Sequence, residues 1–390
     1  MILKKIVHGC YGVYGICLMF QFYGCIQPGK ADFFQDSYTL DGSLPSFDTY
    51  EGNIYLSRMV EQGAQASWVV QSLDGRWIDT IDQRQDWFVN WADMPKISVC
   101  RNGMLGLALR HIGPDHHAYT IDYYIRRQKE EAWQYYGQLP LDTSSTEHGF
   151  PSVEPFEDGW MVVWLDGGAM HRNGFMSLHS AQIGMDGQVI NRQLIDSTVC
   201  DCCQTDLVMA EGQPAVIFRN RTENEIRDVY WSVYLNGKWQ SSQPVENDGW
   251  LVPGCPVNGP QMVNNNKTLV CSWFTAAQDT AAIKMRILSE PESDVITLEK
   301  NFVIGRIAME AMDTQGFGLA YFRADGKEAT LKIQTFDWSG KPQSAWEIAP
   351  INPSRNSGFP TLGFANGKLS VAWTQWNDPE YKIKIKTFNL

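Results

Sequence analysis

An all-β, six-bladed propeller with four-stranded antiparallel blades is the fold this sequence predicts, on three observations. One pattern recurs six times: a short apolar strand, a polar turn with Gly or Asn, and a strand ending in an aromatic. The copies are "KISVCRNGMLGLALRH" (96–111), "PSVEPFEDGWMVVWLD" (151–166), "QTDLVMAEGQPAVIFRNR" (204–221), "PQMVNNNKTLVCSWFT" (260–275), "IAMEAMDTQGFGLAYFR" (307–323) and "PTLGFANGKLSVAWTQ" (360–375). Second hairpins lie between the copies, as in "WVVQSLDGRWIDTI" and "VYWSVYLNGKWQSSQPV". Their Asp-Gly and Asn-Gly pairs suit tight turns, whose central residues sit at positive φ. The ends, finally, are incomplete: "YKIKIKTFNL" closes the chain as a lone third strand, and the opening hairpin lacks a first pair. Both facts predict a last blade assembled from the two chain ends, which closes the ring and removes the open sheet edges.

The elements follow in order. Residues 1–25 read as an export signal, with Lys4 and Lys5 ahead of "IVHGCYGVYGICLMFQFYGC", a run too rich in glycine for a spanning helix. The terminal "FYGC" resembles a bacterial lipoprotein signal with Cys25 as the lipidated residue, although Phe22 and Tyr23 depart from the usual Leu and small residue; a plain secretory signal is the alternative. Residues 26–45 are expected to be a linker and residues 46–390 the propeller. The spacing of Pro151, Pro260 and Pro360 sets a period of roughly 50–55 residues, one blade each. The expected product is exported to the periplasm or cell surface, touches a membrane only through Cys25, and is a monomer.

Composition agrees with a β-rich body. Aromatics make up 12% of the chain, with 15 Trp, and only 19% is charged. The net charge of −12 and the lack of any basic run exclude a nucleic-acid partner.

In a propeller the innermost strand begins, and the second strand ends, on the same face around the axis. That rule places Asp93, Glu147, His148, Cys200–Cys203, Cys255, Asn258, Arg306 and Asn356 on one rim with Arg110, His111, Asp166, Arg219, Arg221, Arg323 and Gln375. Rigid-scaffold loops of this kind are where binding usually sits. Arg219, Arg221 and Arg227 point to an anionic ligand, or else pair with Glu223, Glu225 and Asp228 on a solvated loop. His116 and His117 read as a surface turn.

Beyond the leader six cysteines remain, which allow 15 disulfide pairings. Cys100 and Cys271 fall within strands as buried thiols. Cys200, Cys202, Cys203 and Cys255 should meet near the axis. A disulfide to Cys255 across blades, a thiolate site for Zn or Cu(I), and a reactive thiol all stay open. No cofactor is expected.

Two features resemble a known family. "SLDGRW" (72–77) and "VYLNGKW" (233–239) are similar to the Asp-box turn, S-x-D-x-G-x-T-W. "CCQTDLVMAEGQPAVIFRNRTENEIRDVYWSVYLNGKW" and "GCPVNGPQMV" resemble consecutive blades of bacterial sialidases. Across most of residues 50–390 the chain thus resembles the sialidase superfamily. The resemblance implies a retaining glycosidase acting on terminal sialic acid, with an arginine clamp, a Glu-activated Tyr nucleophile and an Asp acid/base. Carried onto this chain, it implies Asp201 and Tyr321 as catalytic residues, to which the rim placement adds Glu147. Arg219, Arg221, Arg227, Arg306 and Arg110 would form the clamp, with Arg323 a second choice for the third arm, and the rim placement adds Asp166 and Asn258 as ligand-binding residues. Tyr321 also fits a core aromatic equivalent to Trp164, Trp273 and Trp373. The family's F-R-I-P arginine motif is absent, and Cys202 stands where the family keeps a Glu. The sequence therefore predicts a glycan-directed hydrolase. The alternatives are a non-catalytic binding propeller and a metal-binding or redox protein built on the cysteines.

Overall fold

A computed structural model describes residues 34–115, 117–128, 132–141 and 146–390. The expected export signal and Cys25 lie outside the described residues, as does His116. No helix among the described residues is long and apolar enough to cross a membrane.

The chain forms seven antiparallel sheets, not six. The six copies legible in the sequence are blades 2 to 7. Blade 1 comprises Ser43–Tyr50, Asn53–Gln62, Gln65–Ser72 and Ile78–Arg84. Its first strand, "SLPSFDTY", contains Pro45 and alternates weakly, so it does not read as a central strand. It is nevertheless buried from Ser43 to Ser46, because it lines the axis of the ring. The opening hairpin therefore has the first pair that the sequence reading denied it.

Blades 2 to 6 follow in chain order, each beginning with the strand nearest the axis: Lys96–Cys100, His148–Phe156, Asp206–Ala210, Gln261–Asn264 and Val303–Ala311. Blade 4 has a broken edge, with Lys238–Trp239 and Gln243–Pro244 both pairing to Val229–Leu235. Blade 7 is Thr361–Ala365, Lys368–Asn377 and Glu380–Asn389, with Phe34–Asp41 as its fourth strand. Residues 34–41 thus form a strand, and blade 1 begins at Ser43, both inside the expected linker. Blades 1 and 7 are also bonded directly: the Leu44 amide donates to Thr374 Oγ1 and the Phe47 amide to Thr361 Oγ1.

The core lies between blades. Trp160 and Trp164 of blade 3 pack on Leu105, Leu107 and Tyr123 of blade 2. Trp273 of blade 5 packs on Ala215 and Ile217 of blade 4. Edge-on contacts of Trp68 with Trp87 and Tyr124 join blades 1 and 2. In the "SLDGRW" turn, Ser72 Oγ donates to Asp74 Oδ1, which also accepts from the Arg76 amide, while the Trp77 amide donates back to Ser72 Oγ. Ser72 and Asp74 therefore organise the turn together, as Ser and Asp side chains commonly do.

First strands from around the ring line an axial cavity of about 400 Å³. Asp48, Glu154, Asp206 and Glu310 face it, and Lys96 is the one basic residue among its described lining. Three of these carboxylates also tie blades together: Asp48 Oδ2 accepts from the Val99 amide, Asp206 Oδ2 from Met262 and Glu310 Oε1 from Phe364.

Candidate functional site

The first strands of blades 1, 3 and 6 begin at a bulge, with register shifts between Ser43 and Ser46, Gly149 and Ser152, and Gly305 and Ala308. Leu44, Phe150 and Arg306 there hold φ of 58°, 52° and 54°. Such conformations cost about 1–3 kcal/mol each for non-glycine residues and persist only where surrounding contacts enforce them. Here the bends come with contacts that floor the rim. Gln204 Nε2 donates to the Ala92 carbonyl, and Gln204 Oε1 accepts from the Gly259 amide. Trp91 stacks on Phe359, and the Arg306 guanidinium lies 5.0 Å from the Trp91 ring.

Above this floor lies the cysteine and arginine cluster. The turn containing Cys200–Cys203 is clamped to the arginine loop, because the Cys200 amide donates to the Arg219 carbonyl and the Arg221 amide to the Thr198 carbonyl. The sulfurs of Cys200, Cys202 and Cys203 lie within 4.8 Å of one another, with 3.3 Å between Cys200 and Cys203. The Cys255 thiol hydrogen-bonds that of Cys202. All six cysteines among the described residues are unbonded thiols. A covalent pair needs sulfurs about 2.05 Å apart, so the structure does not show the cross-blade disulfide that the sequence left open.

Arginines surround the thiols. Arg227 Nη1 donates to Cys200 Sγ at 3.2 Å, while its Nε and Nη2 hold Glu225 Oε2. Arg221 Nη1 spans both oxygens of Asp201 at 3.0 and 2.9 Å, and its other donors reach Glu225. Burial pushes the Cys200 thiol up, but hydrogen bonds from Cys202 and Cys203 and the Arg227 charge outweigh it and hold the group well below the usual thiol range. Burial pushes Cys203 up to about 12.

Glu147 is a half-buried carboxylate whose charge environment includes Asp201 of this cluster. His117 Nδ1 lies 3.5 Å from Glu147 Oε1, with the His side chain 85% exposed and the Glu side chain 29%. Burial raises the Glu147 carboxyl, the His117 charge opposes this, and the Asp201 charge adds to it. Tyr119 stacks on Phe88 at 4.3 Å, and its hydroxyl is raised by burial and then by Glu147, Asp93, Cys202 and Cys255. Glu147, Tyr119, Asp201 and the thiols thus share one electrostatic neighbourhood.

The remaining predicted residues sit elsewhere. Arg219 is buried and donates to the carbonyls of Asn258, Arg227 and Phe274, with its guanidinium 4.8 Å from the Trp250 ring. Arg306 Nη1 donates to the carbonyls of Ser354 and Gly358, and burial lowers its basicity to about 10. Asn258 is the joint between them: its carbonyl receives Arg219 and its Oδ1 receives the Arg306 amide. Arg110 pairs with Asp122 through Nε and Nη2 within blade 2. Tyr321 packs among core residues, including Ile283 of blade 5, and donates to Glu299 Oε2; Arg323 lies 3.9 Å from the same carboxylate. Asp166 opens on a separate cavity of about 670 Å³, lined by Trp164, Ser177, His179 and Arg192. Its Oδ2 accepts from Trp164 Nε1 and lies 3.4 Å from His148 Nδ1. Burial raises Asp166, but His148 outweighs it and holds the carboxyl well below the usual range.

Tyr119 was missed in the sequence, and His117 was read as a surface turn. Both lie in "GPDHHAYT": His117 does sit exposed in a turn, while the Tyr119 amide donates to the Thr146 carbonyl and so carries its ring to the Glu147 segment. The channel acids had a readable signal, because Asp48, Glu154 and Glu310 each stand three residues before the positive-φ residue of their first turn.

No family model matches the chain, and no curated protein matches its sequence. Among solved structures it is similar to polysaccharide-lyase and sialidase-like propellers. It covers 92% of its length and 96% of a polysaccharide lyase of family PL25, an ulvan lyase bound to -[GlcA(1-4)Rha3S]-, at 8% identity and TM-score 0.53. The polysaccharide lyase Uly1 matches over 90% of each chain at 8% identity and TM-score 0.50. A Trypanosoma rangeli sialidase matches over 90% of this chain and 59% of its own at 9% identity and TM-score 0.49. At these identities the likeness is one of fold.

Proposed function

We propose that this chain is an exported propeller that acts on acidic glycans at the rim, with Glu147 as the acid/base group and the Arg221–Asp201 pair contacting the anionic sugar. The observation that carries this reading is Glu147 itself. It is a part-exposed carboxyl raised by burial, paired with the exposed His117, in the same electrostatic neighbourhood as Tyr119 and the Arg221–Asp201 pair. A carboxyl tuned towards neutrality and able to reach a ligand suits proton transfer. The fold likeness to polysaccharide lyases, one of them bound to a uronic-acid-containing glycan, supports the same substrate class.

Exo-sialidase action is the finer form of the proposal. It would require arginines to turn outward, because Arg219, Arg306 and Arg110 direct their donors at the protein. The test is turnover of a fluorogenic α-sialoside and of uronic-acid polysaccharides, followed in the cell envelope fraction and with purified protein. Glu147→Gln is expected to lower turnover by about 10²–10⁴-fold, and Arg221→Ala to raise KM. No product and no binding with any acidic glycan would sink the proposal.

A further inference from the structure

Three thiols from one turn lie together, with a fourth from the next blade beside Cys202, which neither a hydrophobic nor a glycan-binding role explains. Cys200–Cys203 lie between the last strand of blade 3, ending at Val199, and the first of blade 4, starting at Asp206. Cys255 precedes the first strand of blade 5. We infer that Cys200, Cys202, Cys203 and Cys255 form a binding site for one thiophilic d¹⁰ cation, Zn(II) or Cu(I), that clips these two crossings together. The inference stands independently of the glycan reading.

Geometry comes first. Zn–S bonds of about 2.3 Å in a tetrahedron set sulfur–sulfur separations near ~3.8 Å. The spacing of Cys200, Cys202 and Cys203, from 3.3 Å up to a limit of 4.8 Å, brackets that value, so small side-chain shifts would set three corners of the shell, with Cys255 beside Cys202 for the fourth. Three mutually close sulfurs also suit a cation better than a disulfide, which would join two and strand the third.

Donor chemistry agrees. The nearby carboxylate, Asp201, is held by Arg221, which leaves sulfur as the donor set. All-sulfur sites select soft or borderline cations over Ca²⁺ and Mg²⁺. Thiolates around a d¹⁰ cation leave excess negative charge, and Arg227 already donates an N–H to Cys200 Sγ. Partners of this kind orient and stabilise metal-bound ligands. Access is provided too: Cys200 and Cys203 are buried, Cys202 is half-buried and Cys255 is exposed, so the shell opens to solvent on one side.

The test uses the full exported chain, purified anaerobically with reductant, then stripped and titrated. One equivalent of Co(II) should give the thiolate charge-transfer and tetrahedral ligand-field bands of a sulfur site, displaced by Zn(II). A chromogenic chelator competition reports Cu(I) in parallel. Cys202→Ser should weaken binding at least 100-fold, Arg227→Gln by about 10–100-fold with the spectrum kept, and Cys100→Ser not at all. Loss on Cys255→Ser marks a four-thiolate Zn(II) site, and retention of Cu(I) by that variant marks a three-thiolate one; both support the inference. Should the serine variants fail to fold, alkylation of the wild type followed by mass spectrometry decides. Metal should protect the four rim cysteines, whereas equal labelling with and without Zn(II) and Cu(I), or no stoichiometric binding of either, overturns the site.

Discussion

Arg219 shows how far residue type and residue role can diverge. A cluster of arginines beside a channel suggests a carboxylate clamp, yet this guanidinium is buried and spends its donors on three backbone carbonyls. Removing it leaves Asn258, Arg227 and Phe274 carbonyls without those donors, at about 1–3 kcal/mol for each buried group stranded. Arg219→Ala should therefore destabilise the fold by at least about 3 kcal/mol, seen as a lower denaturation midpoint. Arg219→Lys should recover only part, because a single ammonium cannot span the three acceptors. Wild-type stability combined with lost glycan binding would instead place Arg219 at the ligand. Arg221 and Arg219 are two residues apart in sequence, and only their surroundings separate a part-exposed ion pair from a structural post. Cys202 is the counterexample: three close cysteines in "CDCC" must share a neighbourhood whatever the fold, so that cluster was legible.

At the scale of the element, the first strands carry a pH dependence. Burial raises Asp48 and Asp206 to about 7 and Glu310 to about 8, although each accepts an amide hydrogen bond that opposes the shift. In the unfolded chain these groups ionise near 4, so between about pH 4 and 7 the folded state holds more protons. Their contribution to stability is thus full below pH 4 and declines as pH rises towards 7 or 8. Cavity water moderates the size of the effect, since the side chains are half-buried. Asp206→Asn keeps an acceptor for the Met262 amide and removes the charge. It should raise the thermal midpoint at pH 8 by roughly a few degrees and leave it nearly unchanged at pH 4. An unchanged midpoint at pH 8 would show that Asp206 titrates normally. The strands themselves were visible as apolar runs between turns; the cost of their inward acids was not, because it depends on six other strands facing the same cavity.

For the whole molecule, the decisive element is Phe34–Asp41. It pairs along Glu380–Asn389, and Tyr38 Oη donates to the Leu73 carbonyl of blade 1. Lys382 and Lys384 reach Asp41 and Thr39. A chain starting at Gly42 would lose this pairing and expose the edge of Glu380–Asn389, and exposed edges recruit other strands. Such a truncation should lower the thermal midpoint and self-associate on size exclusion. A monomer of unchanged stability would show that the strand is dispensable.

The sequence by itself determined the all-β class, the four-stranded unit, the assembly of one blade from both chain ends and the meeting of the cysteines. Each of these follows from local periodicity, turn chemistry or close spacing along the chain. Only the tertiary structure decided that there are seven blades and that most of the predicted arginines point inward. The physical reason is the same in both. "SLPSFDTY" becomes a central strand, and Arg219 a ligand for carbonyls 39 and 55 residues away, only when distant blades supply the other half of each contact.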